Sequence, residues 1–245
     1  MSIRIGRILY KAGKKIIPKY RDYGYTVIEV MTPSTKYGAL SPYVLKDTDG
    51  HIIENVWQFS KVYQSVCKSI QHYSRYDNTI IWNWPSQVHI DQNGKLTDDY
   101  YSWRKAGFEN KYAVRYPVGM TNRHECLYSL KTVNAITKDQ SSRLDYIEAR
   151  KQIYLPLYIE SVRKEPLYKK LLSLIRNNTK ILIVEVDGPH QESLQYYKDK
   201  YSFSDDFIVD DTIECTKENM DIMLNDSRHP FGHGYCLGLA LLGDY

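Results

Sequence analysis

Cysteine is scarce and unpatterned: the 245 residues hold four, Cys67, Cys126, Cys215 and Cys236, with no C-x-x-C pair. This spacing excludes a disulfide framework and a cysteine-based zinc module, and with no apolar signal core at the N-terminus it implies a reducing, intracellular compartment, the cytoplasm or, for a viral protein, the host cytoplasm. No apolar run approaches the roughly 20 residues of a membrane-spanning helix, so no membrane partner is expected. Also missing are G-x-x-x-x-G-K-[ST], H-E-x-x-H and G-x-S-x-G, which removes kinase, zincin and α/β-hydrolase readings. No repeat, low-complexity tract or Gly/Ser linker divides the chain.

Acid is absent from the first 21 residues. Arg4, Arg7, Lys11, Lys14, Lys15, Lys19 and Arg21 all precede Asp22. The whole chain carries +4, from 33 basic and 29 acidic residues, so without those seven the remainder is −3. Attraction to nucleic acid or another polyanion is therefore expected in residues 1–21, within a basic arm taken as 1–25. What is plentiful is apolar surface, 42% of residues, enough for a sizeable core without metal or disulfide, together with 23 tyrosines.

Along the chain, Thr26–Met31 is β-branched and closed by Thr32-Pro33, which predicts a strand. Asp49-Gly50 between Tyr43-Val44-Leu45 and His51-Ile52-Ile53 predicts a tight hairpin. From Glu54 to about Tyr73 apolar positions recur every three or four residues, as in an amphipathic helix. Between Asn78 and Gln140 periodicity weakens, with a possible strand at Ala113–Tyr116. A helix is expected from Leu144 to about Ile159, capped by Ser141 or Ser142 and kinked at Pro156. Another should open at Pro166 and stop at Asn177-Asn178. Lys180–Asp187 reads as a strand covered on both faces.

Several groups are candidates for chemistry. Glu54, Gln58 and Lys61 at i, i+4 and i+7 would lie on one side of the expected helix, the outer two about 10 Å apart along its axis. His229 and His233 have helical metal-ligand spacing with Asp226 nearby, but Pro230, Gly232 and Gly234 argue against a helix there, and no metal is expected. Gly232, Gly234 and Gly238 form either a turn that lets backbone approach a phosphate or tight packing at a helix start.

The order of these elements resembles the opening of the NADAR, or YbiA-like, family: a strand, Tyr37-Gly38-Ala39-Leu40-Ser41, Asp49-Gly50, then Glu54, Gln58 and Lys61 in an E-x-x-x-Q-x-x-K pattern. Leu171-Leu172, Ile183-Val184-Glu185, Phe231-Gly232 and Leu237–Leu242 resemble its later elements. About 100 residues are covered. Glu29 and Pro42 stand where the family often has Asn, Phe231 replaces Trp, and Tyr235 or Cys236 falls at a usual Asn. Residues 76–140 and 188–225 have no counterpart in the minimal domain.

The resemblance implies a predominantly helical α+β fold, one YbiA-like domain over 26–245 with those two insertions. It implies an N-glycosidase cleaving a ribose C1′–N bond in a ribosyl phosphate, a nucleotide or an ADP-ribosyl base, including modified nucleic acid, without metal or organic cofactor. Glu54 would then face the anomeric carbon. Lys61 would either bind phosphate or act as an amine nucleophile, Gln58 would bind ribose hydroxyls, and Asp187 or Asp226 would protonate or orient the leaving group. Tyr37, Gly38, Ser41, Phe231 and Gly232 would bind substrate, Phe231 by stacking. Two alternatives remain: a nucleic-acid-binding or scaffold protein with a decayed pocket, or a transferase using the same pocket. In the latter, Arg115, Arg123 and His124 could read a second substrate.

Overall fold

The computed structural model describes residues 2–31, 35–118, 125–131 and 143–243. In chain order come β1 (Ile3–Arg7), β2 (Leu9–Lys11), β3 (Lys14–Ile16), β4 (Thr26–Glu29) and α1 (Ile53–Phe59). Five short strands follow, β5 (Lys61–Val62), β6 (Ser65–Val66), β7 (Ser69–Ser74), β8 (Asp77–Trp84) and β9 (Gln87–Val88), then α2 (Asp98–Phe108), β10 (Tyr128–Leu130), β11 (Arg143–Leu144) and α3 (Tyr146–Ala149). The remainder is α4 (Leu155–Val162), α5 (Pro166–Arg176), β12 (Ile181–Glu185), α6 (Leu194–Tyr201), β13 (Thr212–Glu214), α7 (Lys217–Asn225) and α8 (His233–Leu242). No helix among the described residues is long and apolar enough to cross a membrane.

Helix accounts for 38% and strand for 24% of the described residues, so the fold is α+β with mixed sheets and not the predominantly helical one expected. Most of the difference lies after Phe59. Val62, Tyr63 and Val66 continue the three-to-four spacing, but they lie in or beside β5 and β6, while Ile70 and Tyr73 point to solvent. The β-branched and aromatic content of this stretch favours pleated, half-buried strands over a helix whose spacing it happens to match.

The chain divides into two compact units, 1–41 with 158–245, and 42–157. The first is built on a four-stranded sheet in the order β13-β1-β12-β4. β12 is fully buried and runs parallel to both β1 and β4, as its unbroken apolar run requires. β1 lies inside this sheet, with Ile5 opposite Ile183 and β13 antiparallel on its other side. The beginning of the expected basic arm is therefore a core strand. Even Arg4 is buried, its Nε donating to Thr212 Oγ1 at 2.9 Å and its guanidinium lying over the Tyr20 ring. β13 brings the expected 188–225 insertion into the same sheet.

In the second unit α1 packs on α2 so closely that a Cβ at Gly107 would lie 2.0 Å from the Phe59 ring. Phe59 also meets Trp82 and Trp103 at 4.8 and 4.6 Å between ring centroids. The dispersed tryptophans of the expected 76–140 insertion thus form this unit's core. Ala113–Tyr116 is not a strand. The expected hairpin at Asp49-Gly50 reduces to one bridge, Lys46 with Ile52, and a turn in which Asp47 Oδ1 accepts the N–H groups of Asp49 and His51.

Asp145, not a serine, caps α3, accepting from the Glu148 N–H; Ser141 and Ser142 lie outside the described residues. A π-turn over Arg150–Tyr154 precedes Pro156 and widens the helix where proline's missing N–H interrupts the ladder. Pro166 opens α5, which Asn177 and Asn178 end, the latter at φ 59°.

Candidate functional site

In the second unit, α1 begins at Ile53 without a side-chain cap. Its first N–H groups are satisfied by backbone, Ile53 donating to the Leu45 carbonyl and Glu54 to that of Pro42. This places Glu54 and Gln58 on a buried face, each 6% exposed. After Ser60 the chain turns into β5, where Lys61 pairs with Ser129 of β10.

The three expected residues meet although Lys61 is not helical. Gln58 Nε2 donates to Glu54 Oε1 at 2.9 Å, and Lys61 Nζ donates to Gln58 Oε1 at 2.8 Å. Lysine can only donate and a carboxylate only accept, so this line fixes which way the Gln58 amide points. The Lys61 ammonium also lies 4.8 Å from the Trp57 ring centroid. Burial pushes the Lys61 pKa below the ordinary lysine value, against the opposing charges of Cys126 and Glu54. Burial likewise pushes the Cys126 thiol up, opposed by Lys61 and by hydrogen bonds. Burial thus works against the charged form of both groups, while their mutual attraction favours it.

Arg115 belongs to the same cluster. Its guanidinium lies over Tyr43 at 5.1 Å and Tyr116 at 5.3 Å. Burial opposes its charge, but Tyr43, Tyr116 and Glu54 outweigh this and raise its pKa. Arg123 and His124 lie outside the described residues.

The other candidates belong to the first unit. Tyr37, Gly38 and Ser41 are buried in a short turn, where the Leu40 carbonyl accepts the Tyr158 hydroxyl at 2.7 Å. Phe231 is buried and stacked on Tyr235 at 5.0 Å, which makes it core and not an open stacking face for a base. Asp187 is exposed just after β12.

Asp226 is corrected as a proton donor. Its Oδ2 accepts from Tyr196 and Tyr201 at 2.7 Å and from Lys200 at 3.0 Å, and its Oδ1 from the Arg228 N–H at 2.8 Å. Burial favours the neutral form, but these donors outweigh it and hold the carboxyl at about 2. The depressed value means stability that is present above the ordinary carboxylate pKa of 3.8 and lost as pH falls through about 2. Asp226→Asn should therefore lower unfolding free energy by about 2 kcal/mol near neutral pH, with the gap to wild type closing towards pH ~2 in urea titrations.

Gly232 and Gly234 do let backbone approach an anion, and that anion is the protein's own Glu185. A Cβ at Gly232 would lie 2.3 Å from Glu185 Oε2, and one at Gly234 2.6 Å from Oε1. The Gly234 N–H donates to Oε1 at 2.7 Å. Burial, then Asp187, raises the Glu185 pKa well above the carboxylate range, against N–H groups at the start of α8. His233 Nδ1 lies 3.3 Å from Glu185 Oε2, and its Nε2 bonds the Val30 carbonyl. Since Nε2 must donate there, Nδ1 is an acceptor when the ring is neutral, and Glu185 Oε2 beside it has no hydrogen-bond partner among the described residues. His229 bonds Ser193 Oγ through Nε2 and does not join His233 in a ligand set.

The sequence signal for a buried carboxylate at Glu185 is an acid inside a continuous apolar strand, where charge is seldom found without a partner. Cys126 carried no such signal. Comparison with protein-family models, curated proteins and solved structures returned no match. The YbiA-like resemblance therefore rests on the sequence motifs alone.

Proposed function

We propose that the protein is an N-glycosidase that cleaves the ribose C1′–N bond of a ribosyl phosphate or ADP-ribosyl compound at Glu54, Gln58 and Lys61. The observation that carries this reading is the buried hydrogen-bonded line joining the three. Cleavage builds positive charge at C1′, which the Glu54 carboxylate opposes. An amine with its proton held loosely by burial suits attack on C1′ better than it suits phosphate binding, so Lys61 is assigned as the nucleophile. The amine nitrogen bonds to C1′ as the base leaves and takes up a proton, giving a ribosylamine on Lys61. That amine loses a proton, and its nitrogen lone pair opens the C1′–O4′ bond, O4′ taking up a proton, to form an imine with the open sugar; water then hydrolyses the imine, returning the amine and the free sugar. Gln58 orients both neighbours, and Arg115 supplies a fixed positive charge for substrate phosphate.

The test is mass spectrometry of protein incubated with ribosylaminopyrimidine phosphate, an ADP-ribosyl-guanine oligonucleotide, NAD and common nucleotides, with Glu54→Gln in parallel. Wild type should release a free ribosyl product, and the variant should lose at least about a hundredfold in rate, roughly 2.7 kcal/mol of transition-state stabilisation. An unchanged panel, or equal turnover by both proteins, would remove Glu54 from the anomeric carbon.

A further inference from the structure

The surface over residues 9–23 is used neither by the core nor by the glycosidase reading. β2 and β3 join through Ala12 and Gly13, both at positive φ (48° and 75°), the two-residue turn whose twist suits a hairpin. Apart from the half-buried Leu9, the six strand residues are exposed. The register sets Lys11 directly opposite Lys14, a like-charge cross-strand pair that opposes the hairpin it sits in. Lys15 is neutralised by Glu29 and Arg21 by Asp22. Among the described residues no acid lies within ion-pair distance of Lys11, Lys14 or Lys19. The same segment carries two exposed aromatic residues, Tyr10 (57%), paired with Lys15 and so on the other face of the ribbon from Lys11 and Lys14, and Tyr23 (63%), with one ring face stacked on Tyr20 at 4.8 Å.

Repulsion without compensating burial is relieved by a bound polyanion, and exposed rings among unneutralised lysines suit unpaired bases on a phosphate backbone. We infer that the β2–β3 hairpin and the turn after it form a binding surface for single-stranded nucleic acid. Lys11, Lys14 and Lys19 contact phosphates, and Tyr23 stacks on a base with the ring face turned away from Tyr20. A lone phosphate is the weaker match, because the charges spread over an exposed ribbon and do not converge. The inference stands whether or not the glycosidase reading holds.

The test is fluorescence anisotropy of a labelled strand of roughly 20 nucleotides, single and duplex, with the full chain at about 50 mM salt. Wild type should prefer the single strand. The double variant Lys11→Glu/Lys14→Glu should bind at least about tenfold more weakly, with its log affinity against log salt shallower by roughly 1.4, two phosphate contacts at about 0.7 each. Tyr23→Ala should lose about tenfold on the single strand and little on the duplex. Thermal melts matching wild type would show that these exposed substitutions leave the fold intact. Absence of binding, a double variant that binds like wild type, or a duplex bound as tightly as the single strand would overturn the assignment. So would sedimentation with phosphatidylserine vesicles without oligonucleotide binding, which would make this a lipid surface.

Discussion

Lys61→Arg is expected to abolish turnover of the substrate found by the mass-spectrometry panel, with kcat/KM falling by at least about a thousandfold, roughly 4 kcal/mol. The substitution keeps positive charge and removes only the capacity to become a neutral amine, because a guanidinium does not deprotonate in proteins. It therefore separates the two roles that Lys61 could play. A phosphate-binding lysine would tolerate arginine within about tenfold, chiefly through KM, whereas a nucleophile would not. The pH profile gives a second readout. Burial lowers the Lys61 pKa, so the amine becomes reactive as pH rises, and the rising limb of kcat/KM should lie below the ordinary lysine value of 10.5. Borohydride added during turnover should leave the sugar on wild-type Lys61 as a stable mass increment, and none on Lys61→Arg. Retained activity in the arginine variant would return Lys61 to charge binding.

The parts of the fold that were legible in the sequence are those where local pattern and burial agree. Ile181–Glu185 reads as a covered strand and is one. Pro166 opens a helix because φ near −65° and a missing N–H suit a first helical position. Glu54 and Gln58 share a buried face because four residues make about one helical turn, and one turn is all that pairing requires. Lys61 meets Gln58 by a route other than helical spacing: it reaches that amide from a strand, after the helix has ended at Phe59.

What was illegible depends on partners distant in sequence. Ile3 and Ile5 face strand residues nearly 180 positions away, so the seven positive charges dominated the reading of a segment whose start is core. Asp226 looked like a free acid because its donors arrive from α6, 25 to 30 residues earlier. For Gly232 and Gly234 the local chemistry was read correctly as an anion cradle, but the anion comes from Glu185, 49 residues before Gly234. Sequence spacing gives the shape of such a cradle and says nothing of whether the chain fills it.

Gly234→Ala is expected to be the most destabilising small substitution at that cradle. The new methyl would fall 2.6 Å from Glu185 Oε1, and the carboxyl has no retreat, because the same helix turn closes on its Oε2 at Gly232. Either α8 lifts from the sheet or the Gly234 N–H bond to Glu185 breaks. Overpacking and a buried unsatisfied group together amount to about 4 kcal/mol, a large share of the stability of a typical domain. Urea titration measures the loss, and a cycle with Glu185→Ala finds its source. If the clash is with the carboxylate, adding Gly234→Ala to Glu185→Ala should cost less than about 1 kcal/mol, a coupling of at least about 2; additive losses would place the strain elsewhere. Glu185→Gln isolates the proton. The raised pKa of Glu185 means stability that is complete below its ordinary value of 4.5 and declines as pH rises through the folded value. Glutamine keeps an acceptor for Gly234 and, like a protonated carboxyl, carries a hydrogen that His233 Nδ1 can accept. Its unfolding free energy should match wild type in acid and exceed it increasingly as pH rises, whereas parallel pH curves would mean that Glu185 is ionised and paired with a charged His233.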